Sequence, residues 1–370
     1  MVPWRPKEAG DPDECGGFRL THRIGSGGFG TVFLGFRADI KLPAAVKIFT
    51  SPKVAAPAWR ERFRREIKLI EQMAGVHTAE LLASGGEDAP PWLATRYVHA
   101  PPLDRLVRQY GVFEELPGWW LAASMGEALA EIHAKGILHR DLKPQNILVE
   151  RTGIKVIDFG ISRFSTGSDV TNTTERFGTH PYCANEHLLD VRNATEKSDV
   201  FALGATLVWA TTGRTPFEGM APHDRLAGMP PDLDSVPDAL VDLVESCLAL
   251  RPESRPTALQ VFQEALSHLT DQAVPLASGS GLPLPAEARD FVDAWAATPI
   301  PVLELEPAVA RTGSDGAPGA ATTGTGHEGH SDVGQVQTSG ERRPGQDVFG
   351  TEWRGRWHRA AERRRDSFGK

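Results

Sequence analysis

Cysteine is scarce in this sequence of 370 residues, and Cys15, Cys183 and Cys247 are scattered at spacings that fit neither a disulfide framework nor a metal site. No apolar run approaches the ~20 residues that span a bilayer, and the first residues lack the apolar segment of a signal peptide. A formal charge of −8 gives no general basic field, which disfavours nucleic-acid binding through bulk electrostatics. These absences predict a cytoplasmic protein in a reducing compartment, without a nucleic-acid partner.

Composition divides the chain into a folded part and a long extension. Alternating strand-like and helix-like patterns predict one folded domain over residues 18–269, after an N-terminal extension of residues 1–17. Residues 270–350 are rich in Pro, Gly, Ala and Thr, which predicts a largely disordered linker. Within this linker a short helix could dock on the folded domain through Phe291, Val292 and Trp295, although proline-rich flanks argue against a second core.

The C-terminal residues 351–370 are basic, with aromatic residues between the arginines. Such a segment can form an amphipathic helix that contacts an anionic membrane or a partner. Three acidic residues dilute the positive charge, so a disordered, solubilising end is favoured over membrane contact.

A glycine-rich hairpin opens the predicted domain. Apolar and polar residues alternate before and after Gly25-Ser26-Gly27-Gly28-Phe29-Gly30, which predicts a strand, a glycine loop and a second strand. Glycines at such a tip let backbone amides approach phosphate oxygens, which a Cβ would obstruct. The pattern is equally typical of a flexible hairpin tip. A dinucleotide fold would instead need a helix that begins within the glycines.

A lysine interrupts the next apolar strand, at Lys47. Burying its charge is unfavourable unless an acid pairs with it, although a lysine at a strand edge can also extend to solvent. The following helix carries an apolar stripe, and Glu66 lies on the border of that stripe. Glu66 is therefore a candidate partner for Lys47, while a solvated surface glutamate is equally common.

Two further motifs decide the interpretation. The string His139-Arg140-Asp141-Leu142-Lys143-Pro144-Gln145-Asn146 lies between a predicted helix and an apolar strand, and Asp158-Phe159-Gly160 follows that strand. Together with the glycine loop and Ala45-Val46-Lys47, these motifs resemble the eukaryotic-like (Hanks-type) bacterial serine/threonine protein kinase family over residues 18–269. The resemblance implies an α+β fold of two lobes, with a small β-rich N-lobe and a larger and mostly helical C-lobe. The composition of the residues that follow adds a disordered C-terminal extension.

The resemblance also implies a reaction, namely ATP-dependent phosphorylation of serine and threonine hydroxyls on proteins, with ATP and Mg²⁺ (or Mn²⁺) as cofactors. Asp141 would accept the proton of the substrate hydroxyl, and Lys143 would neutralise the moving γ-phosphate. Lys47, held by Glu66, would bind the α- and β-phosphates. The implied metal ligands are Asn146 and Asp158.

The adenine pocket follows from the same resemblance. Thr95 would close the back of the pocket, and the backbone groups of Arg96 and Val98 would bind the adenine edge. The apolar walls of the pocket are equally typical of an ordinary core. The full set of implied nucleotide-contacting residues is Ile24, Gly25, Ser26, Gly27, Gly28, Phe29, Gly30, Val32, Ala45, Lys47, Thr95, Arg96, Val98, Asn146 and Asp158.

Hydroxyl-rich sequence follows Asp158 and would be the activation segment, with candidate phosphorylation sites at Thr171, Thr173 and Thr174. A phosphate there could pair with Arg140 and order the loop. We therefore expect activating autophosphorylation at Thr171 and Thr173, against the alternative of a merely solvated polar loop.

The segment ends in Ala184-Asn185-Glu186, where the family has Ala-Pro-Glu. By the resemblance Glu186 would pair with a buried arginine, Arg255, and Asp199 would accept hydrogen bonds from the backbone of the His139–Asp141 motif. The missing proline leaves the shape of the substrate pocket open.

Two other functions are weighed against a protein kinase. A pseudokinase that acts as a nucleotide-sensing scaffold is disfavoured because every catalytic position is filled, and a small-molecule kinase is disfavoured by the complete motif around Asp141. The implied partners are protein substrates and a transient homodimer for trans-autophosphorylation.

Overall fold

An antiparallel sheet forms the first part of the folded chain. The computed structural model describes residues 4–27, 29–37, 39, 42–71, 75, 77–86, 90–159, 181–271 and 282–301, which belong to one compact unit. The strand order is β1-β3-β4-β5-β7-β6, and β2 pairs with β3. The strands are β1 (Arg5–Pro6), β2 (Glu14–Cys15), β3 (Phe18–Gly27), β4 (Gly30–Phe36), β5 (Pro43–Phe49), β6 (Leu81–Gly85) and β7 (Trp92–Arg96).

The alternation of side chains along β5 explains how this strand contributes both to the core of the sheet and to the cleft. Ala44, Val46 and Ile48 are buried in the core of the sheet. Ala45 and Lys47 lie on the opposite face, because successive side chains of a strand point to opposite sides. The strand that looks apolar in the sequence therefore directs its single lysine into a cleft.

Helix α1 (Pro57–Ile70) packs on this sheet through one apolar stripe. Trp59, Phe63, Ile67 and Ile70 are buried in a cluster with residues of β5 and β7. The spacing of three and four residues places them on one face of the helix. Glu66 lies beside this face and is half-buried, as the sequence predicts.

The second part of the chain is mostly helical. Its elements are α2 (Leu103–Tyr110), α3 (Glu115–His133), β8 (Ile147–Glu150), β9 (Gly153–Val156), α4 (Asn185–Leu189), α5 (Glu196–Thr212), α6 (Pro222–Leu226), α7 (Asp238–Cys247), α8 (Ala258–Asp271) and α9 (Ala286–Ala297). Helix α3 packs against α5 and α8. A capping box between Thr195 and Ser198 begins α5, whose side chains are buried almost all round. The expected α+β architecture of two lobes is confirmed.

Helix α9 corrects the predicted domain boundary. Residues 282–301 lie within the segment predicted to be a largely disordered linker, yet they pack on α2 and β8. Leu282, Leu284 and Trp295 are among the side chains that they bury. The docking helix considered in the sequence is therefore formed, because this short stretch carries enough apolar surface to offset its ordering.

No helix of the described ranges is long and apolar enough to cross a membrane. The predicted basic tail of residues 351–370 lies outside the described residues, as do Gly28, Gly160 and the phosphorylation candidates Thr171, Thr173 and Thr174.

Candidate active site

A cleft of about 1020 Å³ lies between the sheet and the helical part of the chain. It contains every described member of the nucleotide-contacting set, and also Asp141 and Lys143. The walls come from the β3–β4 hairpin, from β5 and from the segment after β7. The floor comes from the loops before β8 and after β9. Residues that are far apart in the sequence thus meet in one cavity.

The side chains of residues 139–146, called the catalytic loop below, converge on Asp141. Lys143 Nζ lies 2.8 Å from Asp141 Oδ2. Asn146 Nδ2 donates to the backbone oxygen of Asp141 at 2.7 Å and to Oδ2 at 3.2 Å. The carboxylate is thereby fixed in position by a cation and an amide, which is the arrangement needed to orient a hydroxyl group.

Asp199 fixes the backbone of this loop through hydrogen bonds. Its carboxylate is buried and accepts hydrogen bonds from the N–H groups of His139 and Arg140, each at 2.8 Å, and from His133 Nε2 at 2.9 Å. Burial on its own would raise the pKa of Asp199, but the hydrogen bond from His133 and the neighbouring donors hold it below the usual value. The expected structural role of Asp199 is confirmed.

His139 acts as a neutral spacer in the same network. Its Nε2 donates to the oxygen of Ile157 at 3.0 Å, and its Nδ1 accepts from the N–H of Asp141 at 3.3 Å. Burial lowers the pKa of His139, which agrees with a neutral ring that donates at one nitrogen and accepts at the other. The backbone angle φ is positive at Arg140 (63°) and at Asp158 (59°), so both loops turn sharply at the site.

The predicted pair of Lys47 and Glu66 is wrong for this structure. Lys47 Nζ lies 3.1 Å from Asp158 Oδ2, while Glu66 Oε1 lies 3.2 Å from Arg140 Nη1. The cause is competition, since two cations and two carboxylates meet here and each charge has a choice of partner. The structure brings Lys47 into the cleft as expected, but it joins Glu66 to the catalytic loop.

The oxygen groups of Asn146 and Asp158 fit a hard divalent cation. The Asn146 side chain uses its nitrogen to bind Asp141, so its carbonyl oxygen is the atom suited to a metal. The Asp158 side chain is 38% exposed and lines the cleft. Within the described ranges no group of three or more His, Cys, Asp or Glu side chains could hold a metal. Two protein ligands with phosphate oxygens and water are typical of Mg²⁺.

Behind the cleft, Glu186 and Arg255 form the expected buried pair. Arg255 Nη1 and Nη2 donate to the two carboxylate oxygens at 2.6 and 3.0 Å, and Ser198 Oγ donates to one of them at 2.8 Å. Burial raises the pKa of Glu186, but the hydrogen bond and charge of Arg255 outweigh it and hold the pKa below its usual value. The pair attaches the end of the activation segment to the helical core.

Arg225 is a positioning residue that no sequence motif indicated. It is buried, stacks on the ring of Phe217 at 4.4 Å and donates to the backbone oxygen of Cys183. Asn185 Nδ2, where the family has proline, donates to the backbone oxygen of Arg225 at 3.3 Å. Asn185 therefore gives this segment a second attachment, to α6.

Arg105 and Trp295 are two of the residues that line the cleft without being among the predicted site residues. Arg105 lies on α2, and Trp295 comes from α9. The only signal for Trp295 was the aromatic cluster in the predicted linker, and nothing in the sequence distinguished Arg105 from other surface arginines.

Comparison with known proteins is consistent with this geometry. The family profile described as "Protein kinase domain" matches residues 18–267. Serine/threonine-protein kinase AfsK of Streptomyces coelicolor is 38% identical over 262 residues, which are 70% of this chain and 33% of AfsK. The probable serine/threonine-protein kinase PkwA of Thermomonospora curvata is 36% identical over 310 residues, covering 82% of this chain and 40% of PkwA. The chain thus spans well under half of the length of these relatives.

Solved structures show the same fold at lower identity. The crystal structure of the PknI kinase domain of Mycobacterium tuberculosis matches with a TM-score of 0.55 and 22% identity, over 68% of this chain and 95% of that domain.

Proposed function

The chain belongs to the protein kinase family, among the bacterial Hanks-type serine/threonine kinases, and we propose that it transfers the γ-phosphoryl group of ATP to serine and threonine hydroxyls of proteins. The observation that carries this proposal is the convergence of Lys143 and Asn146 on the Asp141 carboxylate, within the cleft that also holds Lys47 and Asp158. Phosphoryl transfer is mostly positioning and charge neutralisation, and these side chains supply both.

Each side chain has a distinct task in this reaction. Asp141 orients the substrate hydroxyl and accepts its proton as the new P–O bond forms and the bond to the leaving diphosphate breaks. Lys143, 2.8 Å from Asp141, stabilises the charge on the group in transfer. Lys47 binds phosphate oxygens. A divalent ion held by Asn146 and Asp158 supplies additional positive charge to the phosphates when bound.

The direct test is incubation with γ-labelled ATP and Mg²⁺, with casein as the protein substrate. We expect Lys47→Met and Asp141→Asn each to lower the rate by about 10²–10⁴-fold, because each removes a group that acts on the reacting atoms. Lys135→Met is the matched control, since Lys135 pairs with Glu131 on α3, away from the cleft. Label that remains on the nucleotide in the unaltered protein would refute the proposal.

Phosphoamino-acid analysis separates the remaining alternatives. Label on serine and threonine supports the proposal, while label only on a metabolite would point to a small-molecule kinase. An unaltered phenotype of the Asp141→Asn protein in cells would favour a scaffold over an enzyme.

We further propose that autophosphorylation of Thr171 and Thr173 activates the enzyme by redirecting Arg140. Arg140 lies 3.2 Å from Glu66, and a phosphothreonine would compete for the same guanidinium group. Glu66 would then be free to pair with Lys47. Mass spectrometry after incubation with ATP tests the modification, and Thr171→Ala with Thr173→Ala should lower kcat by about tenfold or more. An active sample with both threonines unmodified would contradict this regulation.

We also propose a transient homodimer and a cytoplasmic location. A transient homodimer for trans-autophosphorylation is tested by mixing the Lys47→Met protein, as substrate, with unaltered enzyme: transfer of label between them is expected. A cytoplasmic location is tested by fractionation of cells.

A further inference from the structure

Helix α9 adds a wall to the active-site cleft from outside the part of the chain that matches the kinase family. The helix packs on α2, where the rings of Phe291 and Tyr110 lie 5.3 Å apart. Past the helix, His99 Nε2 donates to the backbone oxygen of Thr298 at 2.8 Å, which ties this segment to the chain just after β7. The docking is therefore specific, and it places Trp295 at the rim of the cleft.

Trp295 contacts the guanidinium group of Arg105 at that rim. The guanidinium carbon of Arg105 lies 5.0 Å from the centre of the Trp295 ring, within the range of a cation–π interaction. Because Trp295 is itself buried, with 4% of its surface exposed, the indole gives Arg105 a rigid support. An arginine that would otherwise sample many rotamers is thus pre-organised beside the catalytic loop.

The charge of Arg105 has no counter-ion within the described part of the chain. No ion pair or hydrogen bond joins the guanidinium group of Arg105 to any described residue, and its buried Nη1 lacks a partner, as does the indole nitrogen of Trp295. Buried donors in folded proteins nearly always have acceptors. The neighbouring carboxylate of Asp104 is engaged by Gln145, which approaches it at 3.4 Å.

A second arginine extends the positive surface. Arg108 is exposed and lies three residues after Arg105, and positions three apart share one face of a helix. Both arginines line a cavity of about 480 Å³ beside the cleft, together with Pro102, Asp104 and Gln109. The charged residues of this lining are two cations and one anion, so the cavity attracts negative groups.

We propose that Arg105, supported by Trp295, binds an acidic side chain of the protein substrate next to the accepting hydroxyl, with Arg108 adding to the attraction. This inference rests on the proposed kinase function and gives it a substrate class, namely sites flanked by Asp or Glu. A guanidinium group matches a carboxylate through two parallel hydrogen bonds. The ribose of ATP offers only neutral hydroxyls, which leave the positive charge unbalanced. Trp295 is a positioning residue in this scheme.

The test is a position-scanning peptide library with a central serine or threonine and either Glu or Gln at each flanking position. At one or more positions we expect the Glu peptide to have a KM about fivefold below that of its Gln twin, the upper range for a partly exposed ion pair. Arg105→Glu should reverse this preference without changing the KM for ATP. Arg105→Gln should abolish it, and this variant keeps the side-chain stem on Trp295 in case the reversal variant does not fold.

One control and one further variant define the role of the arginine. Arg214→Glu, an exposed charge reversal at a residue that pairs with Asp232, should leave the preference intact. Trp295→Ala should weaken the preference by raising the KM for the Glu peptide toward that of its Gln twin.

The possible outcomes distinguish a failure of this inference from a failure of the proposed kinase function. Phosphorylation with equal KM for Glu and Gln peptides, or a preference that survives in Arg105→Glu, overturns the inference and leaves the kinase function standing. A higher KM for ATP in Arg105→Glu, with peptide preference unchanged, assigns Arg105 to the nucleotide and also overturns it. A protein that labels no peptide and no protein refutes the kinase function itself.

Discussion

Glu186→Gln is a test of how strongly the end of the activation segment is fastened to the helical core. The Arg255 side chain is fully buried, with 0% of its surface exposed, and Glu186 is its only anionic partner among the described residues. Glutamine keeps the size and one acceptor but removes the charge. The guanidinium would then have no anionic partner and would retain its contact with the Phe201 ring, one possible bond to the amide oxygen of the glutamine, and its bonds to the backbone oxygens of Lys197, Ala249 and Leu250.

The expected loss follows from the burial of the pair. Removing one member of a buried ion pair leaves an uncompensated charge and costs about 3–5 kcal/mol. Because the Glu186 side chain is 17% exposed, water can partly screen the orphaned cation, so we expect a loss of about 3 kcal/mol, at the lower end of that range. For a domain of this size such a loss corresponds to a fall in Tm of roughly 6–12 °C.

Urea unfolding followed by circular dichroism measures this loss. Glu253→Gln, at an exposed position two residues before Arg255, is the control and should stay within about 0.5 kcal/mol of the unaltered protein. Combining Glu186→Gln with Arg255→Met should recover part of the stability, since the buried charge is gone. A single Glu186→Gln variant as stable as its control, or a double variant that shows no recovery, would refute the reasoning.

The pH dependence of the same variant checks its electrostatic origin. In the folded protein the pKa of Glu186 lies below its ordinary value of 4.5, because Arg255 outweighs the opposing effect of burial. A carboxylate with a lowered folded pKa stabilises the fold above its unfolded pKa and loses this contribution as the pH falls through its folded pKa. The stability difference between the unaltered protein and Glu186→Gln should therefore be full at pH 7 and shrink steadily below pH 4.5.

Three other predictions come from the geometry of the chain. A Cβ at Gly30, whose φ is 156°, would lie 1.9 Å from a backbone oxygen of β5, whereas a Cβ at Gly27 meets nothing within 4 Å. Gly30→Ala should therefore lower the free energy of unfolding by more than about 2 kcal/mol and weaken ATP binding. Gly27→Ala should change it by less than about 1 kcal/mol in the same urea and nucleotide titrations. Asn185→Pro should change the free energy of unfolding by less than about 1 kcal/mol and kcat by less than about twofold, because proline is well tolerated at the first position of a helix and only one long hydrogen bond is lost. A tenfold fall in kcat would contradict this prediction. Burial raises the pKa of Cys15 to about 11 and that of Cys247 to about 12, so both should be alkylated more slowly in the native protein at pH 8 than in urea, as mass spectrometry of the peptides would show. Cys247, which is fully buried, should be the slower of the two.

The sequence predicted the contents of the cleft far better than the pairing of its charges. The glycine loop, Lys47, Asp141 and Asp158 could be assigned because together they carry the resemblance to the kinase family, whereas the glycine loop or Lys47 alone left other interpretations open. The contact of Glu66 with Arg140 could not be, since the two residues are 74 positions apart and either cation of the site suits a carboxylate equally well. Composition likewise hid α9, because a short apolar helix between proline-rich flanks carries little local signal and is stabilised by the surface it docks on.

The pairing of four charges in the cleft bears on the activation proposed above. In the structure Lys47 pairs with Asp158, and Arg140 pairs with Glu66. In the alternative arrangement Lys47 pairs with Glu66, and Asp158 and Arg140 are released. All four side chains are partly exposed, between 16% and 38%, so each pair contributes no more than about 1 kcal/mol. A preference of about 1.4 kcal/mol shifts such an equilibrium tenfold. In the activation proposed above, a divalent ion on Asp158 would release Lys47, and a phosphothreonine on Arg140 would release Glu66. Since both favour the same alternative pairing, each needs only a small differential affinity to bring Glu66 to Lys47.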